Sequence, residues 1–450
     1  MISVRKILIS LTAAAFTLAS IPAHAQGIAI ARDAEIENTL RAYGTPIWEA
    51  AGLDPDAITV RLISSDEINS FVAGGQNIFF YTGLLILAQN ANQVVGVIAH
   101  ETGHIAGGHL AREEEEQREA MLEQIISMIL GAGAMAAGQG EAGEAVMTGG
   151  TQVAQRTFLE YSRGHEAAAD TAALNFLDRT GQSARGFADF LSLLEQREHG
   201  AVGRKDQYVL THPLTPDRIQ FVREHVENSK FSDAKEPPEF DEMFVLMKAK
   251  LIGFLHPFDD ALRVYPETDT SMAGRYARAI AYYRKPDLAK AVPLIDGLIA
   301  ERPSSPYFEE LKGQMLYENG RVREAIPPYE AAVKLLPDNS LLRVGLSQAY
   351  LETNDPQYNE AARVNLQAAV EKDKELPEAW SGLAVAYGRE GKFGLSALAL
   401  AEKAYLLHDD KEARSEVARA EKLLPPDSAG YLRAEDIKQA VKNRKKYGGL

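Results

Sequence analysis

A short apolar run at the N-terminus stands apart from everything that follows it. Arg5 and Lys6 precede a hydrophobic stretch over residues 7–21, and Ala23-His24-Ala25 closes it. A basic start, an apolar middle and a small-x-small end make the pattern of a cleavable secretory signal. The run is shorter than the roughly 20 residues a membrane-spanning helix needs, and no cysteine follows it to carry a lipid. The mature chain is therefore expected to begin at Gln26, in the periplasm. From there to about residue 250, strand-like and helix-like patterns mix. Residues 57–63 (AITVRLI) and 78–81 (IFFY) are rich in β-branched and aromatic side chains, and Gly74-Gly75 between them signals a turn. Helical periodicity dominates afterwards, and KEPPEF at 235–240 is a proline-marked break and a linker candidate. A second apolar run, 125–137 (IISMILGAGAMAA), is interrupted by glycine and too short to span a bilayer. It reads as a helix end with a loop, the alternative being peripheral contact with a membrane or a hydrophobic client. The acidic run 113–116 before it reads as a solvated helix face.

Beyond about residue 271 the pattern repeats. Pro303 and Pro337 stand 34 residues apart, the period of tetratricopeptide repeats. One unit carries Gly313, Leu316, Gly320, Ala325, Tyr329, Ala332 and Pro337. The preceding one offers Ala279, Tyr282, Ala291, Ile295 and Pro303, and a later one Trp380, Leu383, Ala384, Tyr387, Gly391, Ser396 and Leu400. Small residues let paired helices approach and large ones fill the space between them. The unit over 342–370 carries a short insertion at Asp355-Pro356. Stacked helix pairs form a concave, protein-binding surface, so residues 271–425 are expected to be a recognition arm. The basic stretch 438–446 (KQAVKNRKK) reads as a solvated helix end, with an acidic partner or anionic head group as the sharper alternative.

Composition narrows the chemistry. The 450 residues are 46% hydrophobic and 25% charged, an ordinary globular mix with room for two or three domains. There is no cysteine, which excludes thiolate catalysis and cysteine-built zinc sites. The net charge of −15 argues against wrapping a nucleic-acid backbone.

Within residues 95–110 (VGVIAHETGHIAGGHL), His100-Glu101-x-x-His104 matches the H-E-x-x-H zinc signature. Two histidines one helical turn apart reach one ion from the same face, and Glu101 stands beside the ion's open position as a proton acceptor. A third protein ligand is expected. His109 falls one place short of H-E-x-x-H-x-x-G-x-x-H, because position 110 is Leu110. Glu166 is the better candidate. In YSRGHEAAAD (161–170) it shares a helix face with Asp170 at i, i+4, and the alanines between them favour close helix packing. Asp170 is then placed to hydrogen-bond a ligating imidazole and fix its tautomer.

Together, the H-E-x-x-H motif, S-R-x-x-E-x-x-x-D over 162–170, Thr211-His212-Pro213 with Arg218, and NSFVAGGQNIFFYTGL over 69–84 resemble the zinc endopeptidases related to CAAX prenyl proteases. The likeness covers about residues 60–225. It implies zinc on His100, His104 and Glu166, with Glu101 as general base. It also implies an edge strand near 69–76 that pairs with an extended peptide, so that Asn69, Phe71, Gly74 and Gly75 contact substrate. In similar proteases the histidine of T-H-P lies near the zinc. His212 is therefore expected either to occupy the fourth position, holding the enzyme inactive until a client arrives, or to stabilise an oxyanion. A loop histidine stiffened by Pro213 is the third alternative. Arg218 is expected to anchor that loop or pair with a nearby carboxylate.

The expected fold is mainly α with a small β-sheet: a signal peptide (1–25), a zinc metallopeptidase domain (26–250), a linker (251–270), an α-helical tetratricopeptide-repeat solenoid (271–425) and a basic C-terminal helix or tail (426–450). The resemblance implies a periplasmic endopeptidase for misfolded or stalled outer-membrane proteins. Its repeat arm would dock the client or the outer-membrane barrel-assembly machinery, with chaperone-like activity. A chaperone or assembly adaptor with mostly latent proteolysis is the competing reading, and a hydrolase of small amides or cell-wall peptides the weaker one.

Overall fold

The computed structural model describes residues 29–108, 163–200 and 206–447. The expected signal peptide (1–25), His109 and the runs 113–116 and 125–137 lie outside the described residues. The chain enters through β1 (Ala29–Ala31) and helix α1 (Ala34–Ala50), whose cap Asp33 accepts the Ile36 N–H. Strands β2 (Thr59–Ser64), β3 (Ser70–Ala73) and β4 (Asn77–Tyr81) complete a four-stranded sheet of order β1-β2-β4-β3. β2 runs parallel to β4, while β1 and β3 are antiparallel to their neighbours. The β3–β4 turn is built on Gly74 and Gly75, both at positive φ (64° and 90°), where a Cβ would be strained.

The register leaves β3 at the sheet edge. It pairs Ser70 with Phe80 and Phe71 with Phe79, and the Tyr81 N–H donates to the Asn69 carbonyl. In an antiparallel ladder the main chains of Asn69, Phe71 and Ala73 then face β4, and those of Ile68, Ser70 and Val72 face outward.

After α2 (Thr82–Leu87) comes α3 (Ala91–Ala106), capped by Asn90, whose side chain accepts the Gln93 N–H. Its apolar lead-in Val94, Val95, Val97 and Ile98 is buried in one core with Trp48, Phe80 and Phe187. Helices α4 (Arg163–Thr180) and α5 (Arg185–Gly200) pack against α3. Gly103 makes that approach close: a Cβ there would lie 2.6 Å from the Ala169 carbonyl oxygen. Two short helices follow, α6 (Gln207–Thr211) and α7 (Pro216–Asn228).

Helix α8 (Pro238–Leu255) belongs to both halves of the molecule. Phe244, Met247 and Leu251 join the first core, whereas Ala249 joins the next one with Tyr276, Ala277 and Ile280. The stretch expected as a linker, 251–270, thus contains the end of α8 and helix α9 (Phe258–Val264). Antiparallel helices then alternate: α10 (Met272–Arg284), α11 (Leu288–Glu301), α12 (Pro306–Glu318), α13 (Val322–Leu335), α14 (Ser340–Glu352), α15 (Asn359–Lys372), α16 (Pro377–Arg389), α17 (Phe393–Leu406) and α18 (Asp410–Leu423). Pro303 and Pro337 sit just past the ends of α11 and α13, where the missing N–H stops a helix. The insertion at Asp355-Pro356 is a single 3-10 turn, Pro356–Tyr358. The final helix α19 (Ala429–Tyr447) buries Ala434, Ile437 and Val441 against the last pair and closes the stack.

The arm curls back onto the N-terminal segment. Arg32 pairs with Asp373 at 2.8 Å, Arg61 with Glu375 at 2.7 Å, and the Asn38 amide donates to the Tyr307 hydroxyl at 3.0 Å. Among the described residues, no helix is long and apolar enough to cross a membrane.

Candidate metal centre

Four buried side chains from three segments converge behind β3. His100 and His104 come from α3, Glu166 from the first turn of α4, and His212 from the residue that ends α6. His100 Nε2 lies 3.2 Å from His104 Nε2 and 3.3 Å from His212 Nδ1. Glu166 Oε1 lies 3.1 Å from His212 Nδ1 and 3.3 Å from His104 Nε2. Four ligands about 2.0–2.1 Å from a tetrahedral ion would stand about 3.3 Å from one another. The four pairs above keep that spacing, and all the donor atoms lie within 4.8 Å of one another. Three imidazoles and a carboxylate, all excluded from water, are the donor chemistry of a transition-metal or zinc site.

The contacts behind the donors select the right tautomers. His100 Nδ1 is 2.9 Å from Asp170 Oδ1. A carboxylate accepts, so Nδ1 carries the hydrogen and Nε2 keeps its lone pair for the centre. His212 Nε2 is 3.1 Å from the Ser70 carbonyl oxygen, which also only accepts. The other ring nitrogen, Nδ1, faces Glu166 and His100.

Arg218 locks the acids in place. It gives Nε and Nη2 to Asp170 at 2.7 and 2.9 Å, and Nη1 to Glu166 Oε2 at 2.7 Å and to the Pro213 carbonyl at 3.0 Å. Both readings offered for Arg218 therefore meet in one side chain. It anchors the T-H-P loop and pairs with carboxylates, leaving Glu166 Oε1 for the cluster.

Proton affinities in the metal-free protein follow from this crowding. Burial disfavours a charged His100, but Asp170 and Glu166 outweigh it and raise the group to about 9. Burial, reinforced by His100 and His212, drives His104 down to about 3 despite Glu166. Glu166 is held well below the ordinary carboxylate range: burial alone would raise it, but His212, His100 and His104 prevail. Asp170 is lowered against its burial by His100 and Arg218.

Glu101 is wholly buried beside the donors, with Oε1 3.5 Å from His212 Nε2. The Ser70 hydroxyl donates to that same Oε1 at 2.7 Å.

The substrate-side candidates occupy the neighbouring hairpin. The Asn69 side chain accepts from the Thr211 hydroxyl at 3.0 Å, and Phe71 stacks on Phe79 with ring centroids 4.9 Å apart. Gly74 and Gly75 form the exposed turn. The segment 207–212 lies along the outer edge of β3, with the Tyr208 N–H donating to the Ile68 carbonyl at 2.8 Å. Sequence reasoning named neither Ser70 nor Tyr208, whose ring packs 4.7 Å from that of His212. Ser70 lies inside the 69–84 segment, where a hydroxyl between Asn69 and Phe71 in a strand-like stretch is the signal the sequence offers.

Residues 33–226 match Peptidase family M48, and residues 310–361 match the Tetratricopeptide repeat. The chain is 28% identical over 334 residues to the beta-barrel assembly-enhancing protease of Escherichia coli (strain K12), covering 72% of this chain and 66% of that protein. It is 25% identical over 305 residues to the protein of the same name from Yersinia pestis, covering 66% of this chain and 61% of that one. Metalloprotease LoiP of Escherichia coli is 25% identical over 187 residues, 40% of this chain and 69% of its own length. The chain therefore spans just under two thirds of the length of the two beta-barrel assembly-enhancing proteases it matches. Along this chain the stretch that matches Peptidase family M48 precedes the one that matches the Tetratricopeptide repeat.

Proposed function

We propose that this chain, with its M48 peptidase domain and repeat arm, is a zinc-dependent endopeptidase of the periplasm. We propose misfolded or stalled outer-membrane proteins as its substrates. The observation that carries the reading is the set of four buried donors within 4.8 Å of one another, with Glu101 alongside. His100, His104 and Glu166 would hold zinc. Bound zinc lowers the pKa of water toward 7 and polarises a scissile carbonyl. Glu101 takes a proton from the attacking water and returns it to the leaving amine. Asp170 holds His100 in its ligating tautomer, and Arg218 holds Glu166 and the T-H-P loop.

His212 supplies the fourth donor in the resting protein. An extended peptide that pairs with the outer edge of β3 must compete with it for the Ser70 carbonyl, and once displaced the ring is near enough to donate to an oxyanion. Asn69, Phe71 and the Gly74-Gly75 turn shape the strand on which the peptide lies. The repeat arm is assigned to the client or to the outer-membrane barrel-assembly machinery. That assignment is supported by the relatives' names and by the protein-binding habit of stacked helix pairs. The same contact between His212 and Ser70 favours a second reading, an assembly adaptor or chaperone whose proteolysis is mostly latent.

Zinc-loaded protein incubated with an unfolded β-barrel protein and, separately, with muropeptides distinguishes these readings. Cleavage of the unfolded protein alone is expected, with a loss of about 10²–10⁴-fold in Glu101→Gln while zinc stays bound. Cleavage of muropeptides would overturn the substrate assignment. Full rescue of outer-membrane assembly by Glu101→Gln would favour the adaptor.

A further inference from the structure

Ser70 makes two contacts that converge on the reacting groups. Its carbonyl meets His212 Nε2 at 3.1 Å, and its hydroxyl donates to Glu101 Oε1 at 2.7 Å. Ser70 and Glu101 are both fully buried, and Glu101 Oε2 has no hydrogen-bond partner. The carboxylate is thus tethered through one oxygen while the other is unsatisfied. A buried acceptor left that way is costly unless a reacting molecule supplies the donor. Strand alternation explains how Ser70 reaches α3: it shares a face of β3 with Val72, which lies in the core that α3 helps to build.

We propose that Ser70 is a positioning residue for the general base. Its hydroxyl fixes Oε1 to the edge strand on which a peptide would lie, so that Oε2 faces the water. No bond to Ser70 is made or broken. The serine acts through Glu101, and because the tether starts from β3, the strand that sets the peptide's register also sets the base. A hydroxyl that merely fills a buried space would leave the carboxylate's orientation unchanged when removed. A tether would not. This inference rests on the peptidase reading, and its test includes a measurement that needs neither metal nor turnover.

The test compares Ser70→Ala, Ser70→Thr and Ser70→Ala/Glu101→Gln in the full chain. Crystal structures of the metal-free variants should show the Glu101 carboxylate moved in Ser70→Ala and in place in Ser70→Thr, which keeps the hydroxyl. With zinc and an unfolded β-barrel protein, Ser70→Ala should lose about 10–100-fold in kcat, the scale of a misplaced catalytic group. KM should stay within about twofold and zinc content should be unchanged, and the Ser70→Ala change should cost nothing further in the Glu101→Gln background. An unmoved carboxylate in metal-free Ser70→Ala, or a kcat equal to wild type, overturns the proposal. If Ser70→Thr fails to fold, the Glu101→Gln background decides, because a further loss of activity there would show a structural role. Wild-type protein that binds zinc but never cleaves would refute the peptidase reading instead, and the crystallographic comparison would still decide whether Ser70 tethers Glu101.

Discussion

Two buried clusters of charge sit in this molecule, and they balance themselves in opposite ways. Around Lys250, the ammonium lies 2.8 Å from Asp33, 3.3 Å from Glu35 and 3.8 Å from Glu310, and the Tyr276 hydroxyl donates to Glu35 at 2.7 Å. The protein supplies its own cation there, at the junction of α1, α8 and the repeat helix α12. Around His100, His104, Glu166 and His212 the ring nitrogens and a carboxylate oxygen converge on one another, and the Arg218 guanidinium stands behind the carboxylates. Burying polar groups in this way is unfavourable unless a charge complements them. The first cluster carries its own cation as folded and ties α1, α8 and α12 together. In the reading proposed above the second is completed by an ion, and that would be the physical difference between a structural ionic knot and a metal centre.

The comparison can be broken from either side. The largest effect is expected at the self-sufficient cluster: Lys250→Met leaves the buried Glu35 and the half-buried Asp33 and Glu310 without their cation and should cost about 3–5 kcal/mol of stability. Denaturant unfolding should give the same loss with and without zinc. At the other cluster, zinc at a hundredfold over its dissociation constant should stabilise the wild type by about 2.7 kcal/mol. Thermal scans with a chelator should lose that increment in wild type and in Lys250→Met alike, and find none to lose in Glu166→Ala. Asp170→Asn keeps the donors but loosens His100, and a competitive zinc titration should show affinity about 10–100-fold weaker.

The smallest effect concerns pH. Burial raises Glu310 to about 7; Lys250 opposes the shift, and Asp33 and Glu35 reinforce it. Between pH 4.5 and 7 the folded chain holds a proton that the unfolded chain has released. That contribution is full below about 4.5 and is lost as pH rises through 7. Glu310→Gln should therefore be nearly neutral at pH 4.5 and more stable than wild type at pH 8. Equal offsets at both pH values would contradict this.

What could be read in the chain beforehand follows the range of each interaction. His100 and His104 are one helical turn apart, so spacing alone put them on one face. Glu166 and Asp170 were legible for the same reason, and Gly103 against Ala169 supplies the helix contact that brings the two pairs together. The proline period exposed the repeats. Nothing local signals that Ser70 reaches Glu101 or that Lys250 meets Asp33 and Glu310, because those contacts join residues far apart in sequence on different elements. The expected linker failed to anticipate helix α9 and the double role of α8 for a related reason. A helix with two buried faces loses its amphipathic stripe and reads as uninformative.

The central claim, that two imidazoles and Glu166 grip one divalent ion, is tested most directly by metal analysis. Wild type, Glu101→Gln and Glu166→Ala would each be loaded with zinc, desalted and assayed for bound metal. The account predicts one zinc per chain in the first two and loss of it in Glu166→Ala. Stoichiometric zinc in Glu166→Ala would contradict it.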